Sequence, residues 1–189
     1  MNLSSFIETI HDAVTRGRKV PQKVDNVRNA LVSCLRTPDF LPDSALKPDL
    51  SVPYARRLLH RDPQFSIVGM VWAPNQETPI HDHSGVWCVE GVYRGCISVT
   101  RYDMLWKSGE VAHFVPHSSL RQEKGCAGSL IPPVEYHTIA NDCYETPAIT
   151  VHIYGGEMSS CRVFLPREDG DWDITRRQLS YTEELVAAK

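Results

Sequence analysis

The chain has 189 residues, of which 42% are apolar and 23% charged, and its formal net charge is -3. That length can enclose a real core in one domain, and the slightly acidic balance argues against a nucleic-acid or anionic-membrane partner. No apolar run approaches a membrane span, and the start MNLSSFIETIHDAVTRG lacks a basic segment followed by an apolar one, so a cytoplasmic setting is expected.

The first element read along the chain is a helix over residues 3–16. Leu3, Phe6, Ile7, Ile10 and Val14 recur at a helical period, with Ser4 or Ser5 as the expected cap and Gly17 as the stop. A second helix is expected over about residues 22–36, from the spacing of Val24, Val27, Leu31, Cys34 and Leu35. Pro21 suits its first turn and Pro38 its end. The Pro- and Asp-rich stretch 42–53 reads as a loop.

After Phe65 the texture changes to short apolar runs between turn residues. Strands are expected at 65–73, 81–93, 96–102, 111–115, 129–131, 137–141, 148–154 and 161–165. Many short strands at this spacing suggest a small antiparallel β-barrel. The fold class expected is therefore mainly β with an N-terminal helical portion. It is read as a single domain over residues 1–189, with helices in about 1–40 and the barrel in about 65–165.

None of the six cysteines (Cys34, Cys88, Cys96, Cys126, Cys143 and Cys161) forms a CxxC pair, which argues against a zinc knuckle. With no export signal read, they are expected to be reduced, most of them as small buried hydrophobes.

His81-Asp82-His83 is the most informative motif. Two histidines at i and i+2 on a strand point to one face and can offer two imidazole nitrogens to one metal ion. His137 lies on a later strand and can supply a third. Three neutral imidazoles suit iron, zinc, copper or nickel, and without a carboxylate they leave an octahedral ion open on one side. Thr150, His152 and Tyr154 alternate along another strand, so all three can face the same cavity, where a Thr–His–Tyr hydrogen-bond relay is reasonable. In that relay Thr150 orients the imidazole and His152 holds the phenol. His113 and His117 are read as surface or loop residues.

The stretch from Asn75 to Gly95 resembles the first motif of the cupin superfamily, with His81, His83 and Gly95 at the family spacing. Pro132, His137 and Asn141 resemble the second, with Val134 where glycine is usual. Cys88 stands where most cupins carry a glutamate ligand. That feature, Thr150-Val151-His152-Ile153-Tyr154, Tyr54-Ala55-Arg56 and Cys161 together resemble the thiol dioxygenases, in particular cysteine dioxygenase. The resemblance covers roughly residues 50–165 and implies a jelly-roll barrel of the cupin type.

It also implies roles. Fe(II) would be held by His81, His83 and His137. Arg56, with Tyr54 nearby, would bind the substrate carboxylate through a planar guanidinium. Tyr154, His152, Thr150 and Cys88 would serve catalysis, with Cys88 and Tyr154 open to joining by a thioether; a buried hydrophobe or a thiolate ligand are the other readings of Cys88. The expected reaction is oxidation of L-cysteine by O2 to cysteine sulfinic acid. The alternative substrate is 3-mercaptopropionate or another small thiol acid; Trp87 echoes a tryptophan of that group. A non-catalytic metal-binding cupin, or a cupin isomerase using another metal, belongs to a different class. The expected partners are a small thiol and O2, with no nucleic acid and no membrane, and the oligomeric state is not legible.

Overall fold

The computed structural model describes residues 1–37, 39–143 and 145–185. Pro38, expected to end the second helix, lies outside the described residues.

Two helices come first, α1 (Leu3–Arg16) and α2 (Val20–Leu35). Asn2, rather than Ser4 or Ser5, caps α1: its side-chain oxygen accepts the Ser5 N–H at 2.9 Å. Gly17 ends α1, and a proline occupies the first turn of α2. The stretch read as a loop carries a short 3-10 helix at Asp43–Leu46.

Twelve strands follow among the described residues: β1 (Ala55–Arg61), β2 (Ser66–Trp72), β3 (Ile80–His81), β4 (Cys88–Arg94), β5 (Cys96–Ser108), β6 (Val111–Glu123), β7 (Ala127–Leu130), β8 (His137–Ala140), β9 (Ala148–Tyr154), β10 (Ser160–Pro166), β11 (Trp172–Gln178) and β12 (Glu183–Glu184). One sheet runs β12-β1-β2-β9-β4-β7, and the strands β10-β11-β6-β5-β8-β3 close on themselves. This is the mainly β barrel with N-terminal helices expected from the sequence. Strand pairing also extends beyond residues 65–165, into β1, β11 and β12. Those strands carry many Arg, Asp, Gln and Glu, so the hydrophobic signal for them is weak.

The first sheet separates two cores. Ile149, Val151 and Ile153 of β9 pack with Phe6, Ile10, Leu31 and Leu35 of the helices. Tyr154 packs on the opposite side with Cys88, Met70 and Trp72. Period-2 alternation makes β9 a wall with a dry helical side and a chemical side. Tyr93 ties the helical layer down: its hydroxyl accepts the backbone N–H groups of Phe40 at 3.0 Å and Leu41 at 3.2 Å. Truncating a buried leucine such as Leu31 would cost about 2–5 kcal/mol.

The segment read as one strand over 81–93 is two. β3 ends at His81, and the chain turns through Ser84 (φ 53°) and Gly85 (φ 83°) before β4 starts at Cys88. Gly85 fits because it adopts positive φ without a side-chain clash. His83 is therefore on a turn, and the same-strand argument for His81 and His83 does not hold.

The cysteines also depart from expectation. Cys96 and Cys143 form a disulfide across 47 residues of sequence, while Cys34, Cys88, Cys126 and Cys161 are free. The pairing of β5 with β8 brings the two segments together, and sequence spacing carries no sign of it. Among the described residues no helix is long and apolar enough to cross a membrane.

Candidate active site

Three rings meet at one end of the barrel although their residues come from a strand end, a turn and a second strand. His81 and His137 are paired in the β3–β8 register, with ring centroids 4.6 Å apart; His83 lies 5.3 Å from His81 and 5.0 Å from His137. The Nε2 atoms of His81 and His137 approach to 3.2 Å.

The opposite nitrogens explain why these edges face one another. His81 Nδ1 lies 3.2 Å from the Pro79 carbonyl oxygen. His83 Nδ1 lies 3.2 Å from Glu135 Oε2, which also accepts the His83 backbone N–H at 2.7 Å. His137 Nδ1 faces Glu90 Oε1 at 3.6 Å, longer than a hydrogen bond. Each ring thus has an acceptor behind it, which favours N–H on Nδ1 and leaves the Nε2 lone pair toward its neighbours. Burial pushes the His81 pKa down to about 3, with His83 adding to the effect. Burial likewise holds His137 well below the ordinary histidine range. Converging imidazoles are a donor set that suits a divalent transition metal, so these residues fit such an ion.

Asp82, between the two motif histidines, points the other way. It accepts the Arg162 backbone N–H at 2.8 Å and the Arg162 Nε at 2.5 Å, fastening the turn to β10. His113 and His117 lie on β6, paired with Asp171 at 2.7 Å and Asp103 at 2.9 Å, and are not among the converging rings.

The β4–β9 register brings the next group together. Cys88 is the Cα partner of Tyr154, Glu90 of His152 and Val92 of Thr150. Cys88 is fully buried, and its ligand atom clusters with those of Glu90 and His152 rather than with the three rings. Burial raises the Cys88 thiol and the Tyr154 phenol well above their ordinary pKa values, so both are protonated.

The Thr–His–Tyr relay takes a different form from the one expected. The Trp72 indole donates to Thr150 Oγ1 at 2.9 Å, and Thr150 Oγ1 lies 2.8 Å from His152 Nε2. Burial keeps the His152 imidazole neutral, so with Thr150 donating to Nε2 its N–H sits on Nδ1, 3.5 Å from Glu90 Oε2. Among the described residues no hydrogen bond joins His152 to Tyr154; the rings stack at 6.0 Å and 20°. Both His152 nitrogens are turned to other groups, so His152 does not hold the phenol.

Glu90 was missed from the sequence. It is 3% exposed, straddles the Nδ1 atoms of His137 and His152, and burial lifts its pKa to about 7. The available signal was a carboxylate inside the apolar run Cys88-Val89-Glu90-Gly91-Val92, on the same strand face as Cys88. Glu135 was missed too, because nothing in its local pattern ties it to a histidine 52 residues earlier.

Beside the rings lies a cavity lined by Tyr54, Arg56, His81, His152, Tyr154 and Cys161, among others. Tyr54 stacks on Trp72 at 4.6 Å. The adjacent arginines both have buried nitrogens without a hydrogen-bond partner among the described residues, but only Arg56 lines the cavity. Arg57 pairs with Glu183 at 3.2 Å. Arg56 is 5% exposed and lies over the Tyr181 ring at 5.1 Å; its Nη1 donates to the Ser180 carbonyl at 3.2 Å, while Nε and Nη2 have no hydrogen-bond partner among the described residues. A buried guanidinium with two unsatisfied N–H groups at a cavity is a ready receptor for a carboxylate. Trp87 packs away from this cavity, in the core shared with the helices.

The comparisons with known proteins fit this geometry. The family model described as cysteine dioxygenase type I matches residues 51–167, more than half of the chain. Cysteine dioxygenase type 1 of Danio rerio is 23% identical over 163 residues, covering 83% of this chain and 79% of that protein. Cysteine dioxygenase type 1 of Rattus norvegicus is 20% identical over 112 residues, covering 59% and 55%. Among solved structures, a conserved protein with a double-stranded β-helix domain from Klebsiella pneumoniae has a TM-score of 0.49 at 17% identity, covering 65% of this chain and 94% of the other. With its family model matched across the segments that carry the converging histidines, Cys88, Arg56 and Tyr154, the chain belongs to the cysteine dioxygenase type I family of dioxygenase oxidoreductases.

Proposed function

We propose that the protein is an Fe(II)-dependent thiol dioxygenase that converts L-cysteine and O2 to cysteine sulfinic acid. The observation that supports the reading is a cluster of three converging imidazoles with no carboxylate among them, one of which, His81, lines the same cavity as the buried Arg56 guanidinium, whose Nε and Nη2 have no hydrogen-bond partner among the described residues. His81, His83 and His137 would hold the ion, which when bound supplies open positions for the thiolate and dioxygen.

The chain's own groups do the rest. Arg56 receives the carboxylate through Nε and Nη2, which fixes the sulfur end toward the histidines. Tyr54 closes the cavity beside Arg56. Tyr154 keeps its phenol proton and can donate it to an oxygen atom arriving beside His83, whose ring lies 6.1 Å away. Thr150 fixes His152, and Glu90 faces the Nδ1 atoms of His137 and His152 from behind. The chemistry balances as RSH + O2 → RSO2H: both oxygen atoms end on sulfur, dioxygen is the only oxidant and no added reductant is needed. Cys88, opposite Tyr154 in register, would join it through a thioether, with loss of two hydrogens to dioxygen.

The test is dioxygen consumption and sulfinate mass analysis on the iron-reconstituted protein. L-Cysteine should yield its sulfinic acid; failure to form a sulfinate from any small thiol would refute the reading. The second reading is the same reaction on 3-mercaptopropionate. It is favoured by one specific observation: among the described residues the cavity lining contains no carboxylate to receive an ammonium group.

A further inference from the structure

The cavity holds a second guanidinium that the assigned roles leave unused. Arg177, on β11, is the Cα partner of Cys161 on β10 and lines the inner cavity together with Arg56. It also lines the adjoining outer groove, where Arg56 and Tyr54 appear again, so it stands at the mouth between the two spaces. Among the described residues Arg177 makes no ion pair, although nearby arginines do: Arg57 with Glu183, Arg162 with Asp82, Arg167 with Asp169 and Asp173. Among the described residues no Asp or Glu lines either space.

Both guanidinium charges are felt inside. At the Tyr54 hydroxyl and at the Cys161 thiol, Arg56 and Arg177 each oppose the upward push of burial. Two fixed cations facing one cavity, with no lining anion, favour a ligand carrying two negative groups besides its thiol. They disfavour an ammonium placed near Arg177.

We infer that Arg177 is a second anion-recognition residue, and that the pocket takes small thiols of the mercaptodicarboxylate class. One carboxylate meets Arg56 in the cavity and the other meets Arg177 at its mouth. The inference rests on the thiol dioxygenase reading and moves the preferred substrate from a thiol with one carboxylate to one with two. The reaction is unchanged: the sulfur takes both atoms of dioxygen and the two carboxylates are spectators.

The experiment compares kcat/KM for mercaptosuccinate, 3-mercaptopropionate and L-cysteine on the iron-loaded full chain. Mercaptosuccinate is 3-mercaptopropionate with a carboxylate added, so the pair isolates the second charge. Mercaptosuccinate should lead by about 10- to 100-fold, the range of one charge-assisted hydrogen-bonded contact. Arg177→Gln should reduce the mercaptosuccinate to 3-mercaptopropionate ratio by about 10-fold or more, and Arg177→Lys should restore part of it. Calorimetry with thiol-free probes gives an independent readout: succinate should bind the wild-type chain more tightly than propionate, whether or not the variant folds. Turnover led by cysteine or 3-mercaptopropionate, a ratio unmoved by Arg177→Gln in a folded variant, or equal binding of succinate and propionate would overturn the inference while leaving thiol dioxygenation standing. Absence of sulfinate from all three thiols would overturn both.

Discussion

Glu90 Oε1 lies 3.6 Å from His137 Nδ1, on the far side of the ring from the edge that meets His81. An acceptor behind a metal-binding imidazole fixes its tautomer and orientation when the two come within hydrogen-bond reach, which here needs a shortening of a few tenths of an ångström. Its other oxygen faces His152 Nδ1 at 3.5 Å, so one side chain stands between two rings without a hydrogen bond to either among the described residues. Glu90→Ala is expected to weaken divalent-metal binding by about 10- to 100-fold, with Glu90→Gln retaining more than Glu90→Ala. Chelator competition on the metal-free protein measures it, and equal affinities would remove Glu90 from the support of His137.

Arg56 and Arg57 are neighbours with different surroundings: Arg57 pairs through Nε with Glu183 while its Nη1 is also unpartnered among the described residues, whereas Arg56 has no carboxylate partner there and lines the cavity. Arg56→Gln should lower kcat/KM for carboxylate thiols by about 10- to 100-fold, the cost of losing a charged hydrogen-bond partner. Cysteamine, which has no carboxylate, should be far less affected. Equal losses on both thiols would show a disturbed fold rather than lost recognition.

Cys88 and Tyr154 share a register position on adjacent strands. After aerobic turnover with iron, a proteolytic digest should contain the two peptides joined, lighter than their sum by two hydrogens. Cys88→Ala and Tyr154→Phe controls separate the cases: the first must abolish the joined species. Peptides that always run separately would dismiss the crosslink.

Thiol counting tests the cysteine assignments together. Cys126 is exposed and should alkylate first in the native protein, while Cys34, Cys88 and Cys161 are buried. Burial raises the Cys161 pKa to about 11, so at mildly alkaline pH it stays a slow-reacting thiol. Unfolding without reductant should release the remaining free thiols, and reductant should add Cys96 and Cys143. Release of all six without reductant would contradict the disulfide.

Gly155, directly after Tyr154, lies against the Trp87 indole: a Cβ there would fall 2.1 Å from Trp87 Nε1. Gly155→Ala must displace a buried ring and is expected to destabilise the fold by about 1–3 kcal/mol. A thermal melt should show a fall of about 2–4 °C per kcal/mol for a chain of this size. An unchanged melting temperature would mean that Trp87 moves aside freely.

Much of this protein could be read locally. The helices, the barrel class and the alternation of Thr150, His152 and Tyr154 follow from periodicity, because period reports which face of its own element a residue takes. His81, His83 and His137 stood out for their donor chemistry, and the resemblance named the family. Periodicity does not report which distant element a face will meet. The closing of β3 on β8 and the β4–β9 register put Glu90 behind His137 and Cys88 opposite Tyr154. The turn at Ser84 and Gly85 took His83 off the strand and left its position to Glu135. Packing alone separated Arg56 from Arg57 and joined Cys96 to Cys143 across 47 residues. The residue types capable of the chemistry were determined by sequence. Their partners, protonation and access were decided by tertiary structure, because burial and long-range pairing exist only once the chain has closed.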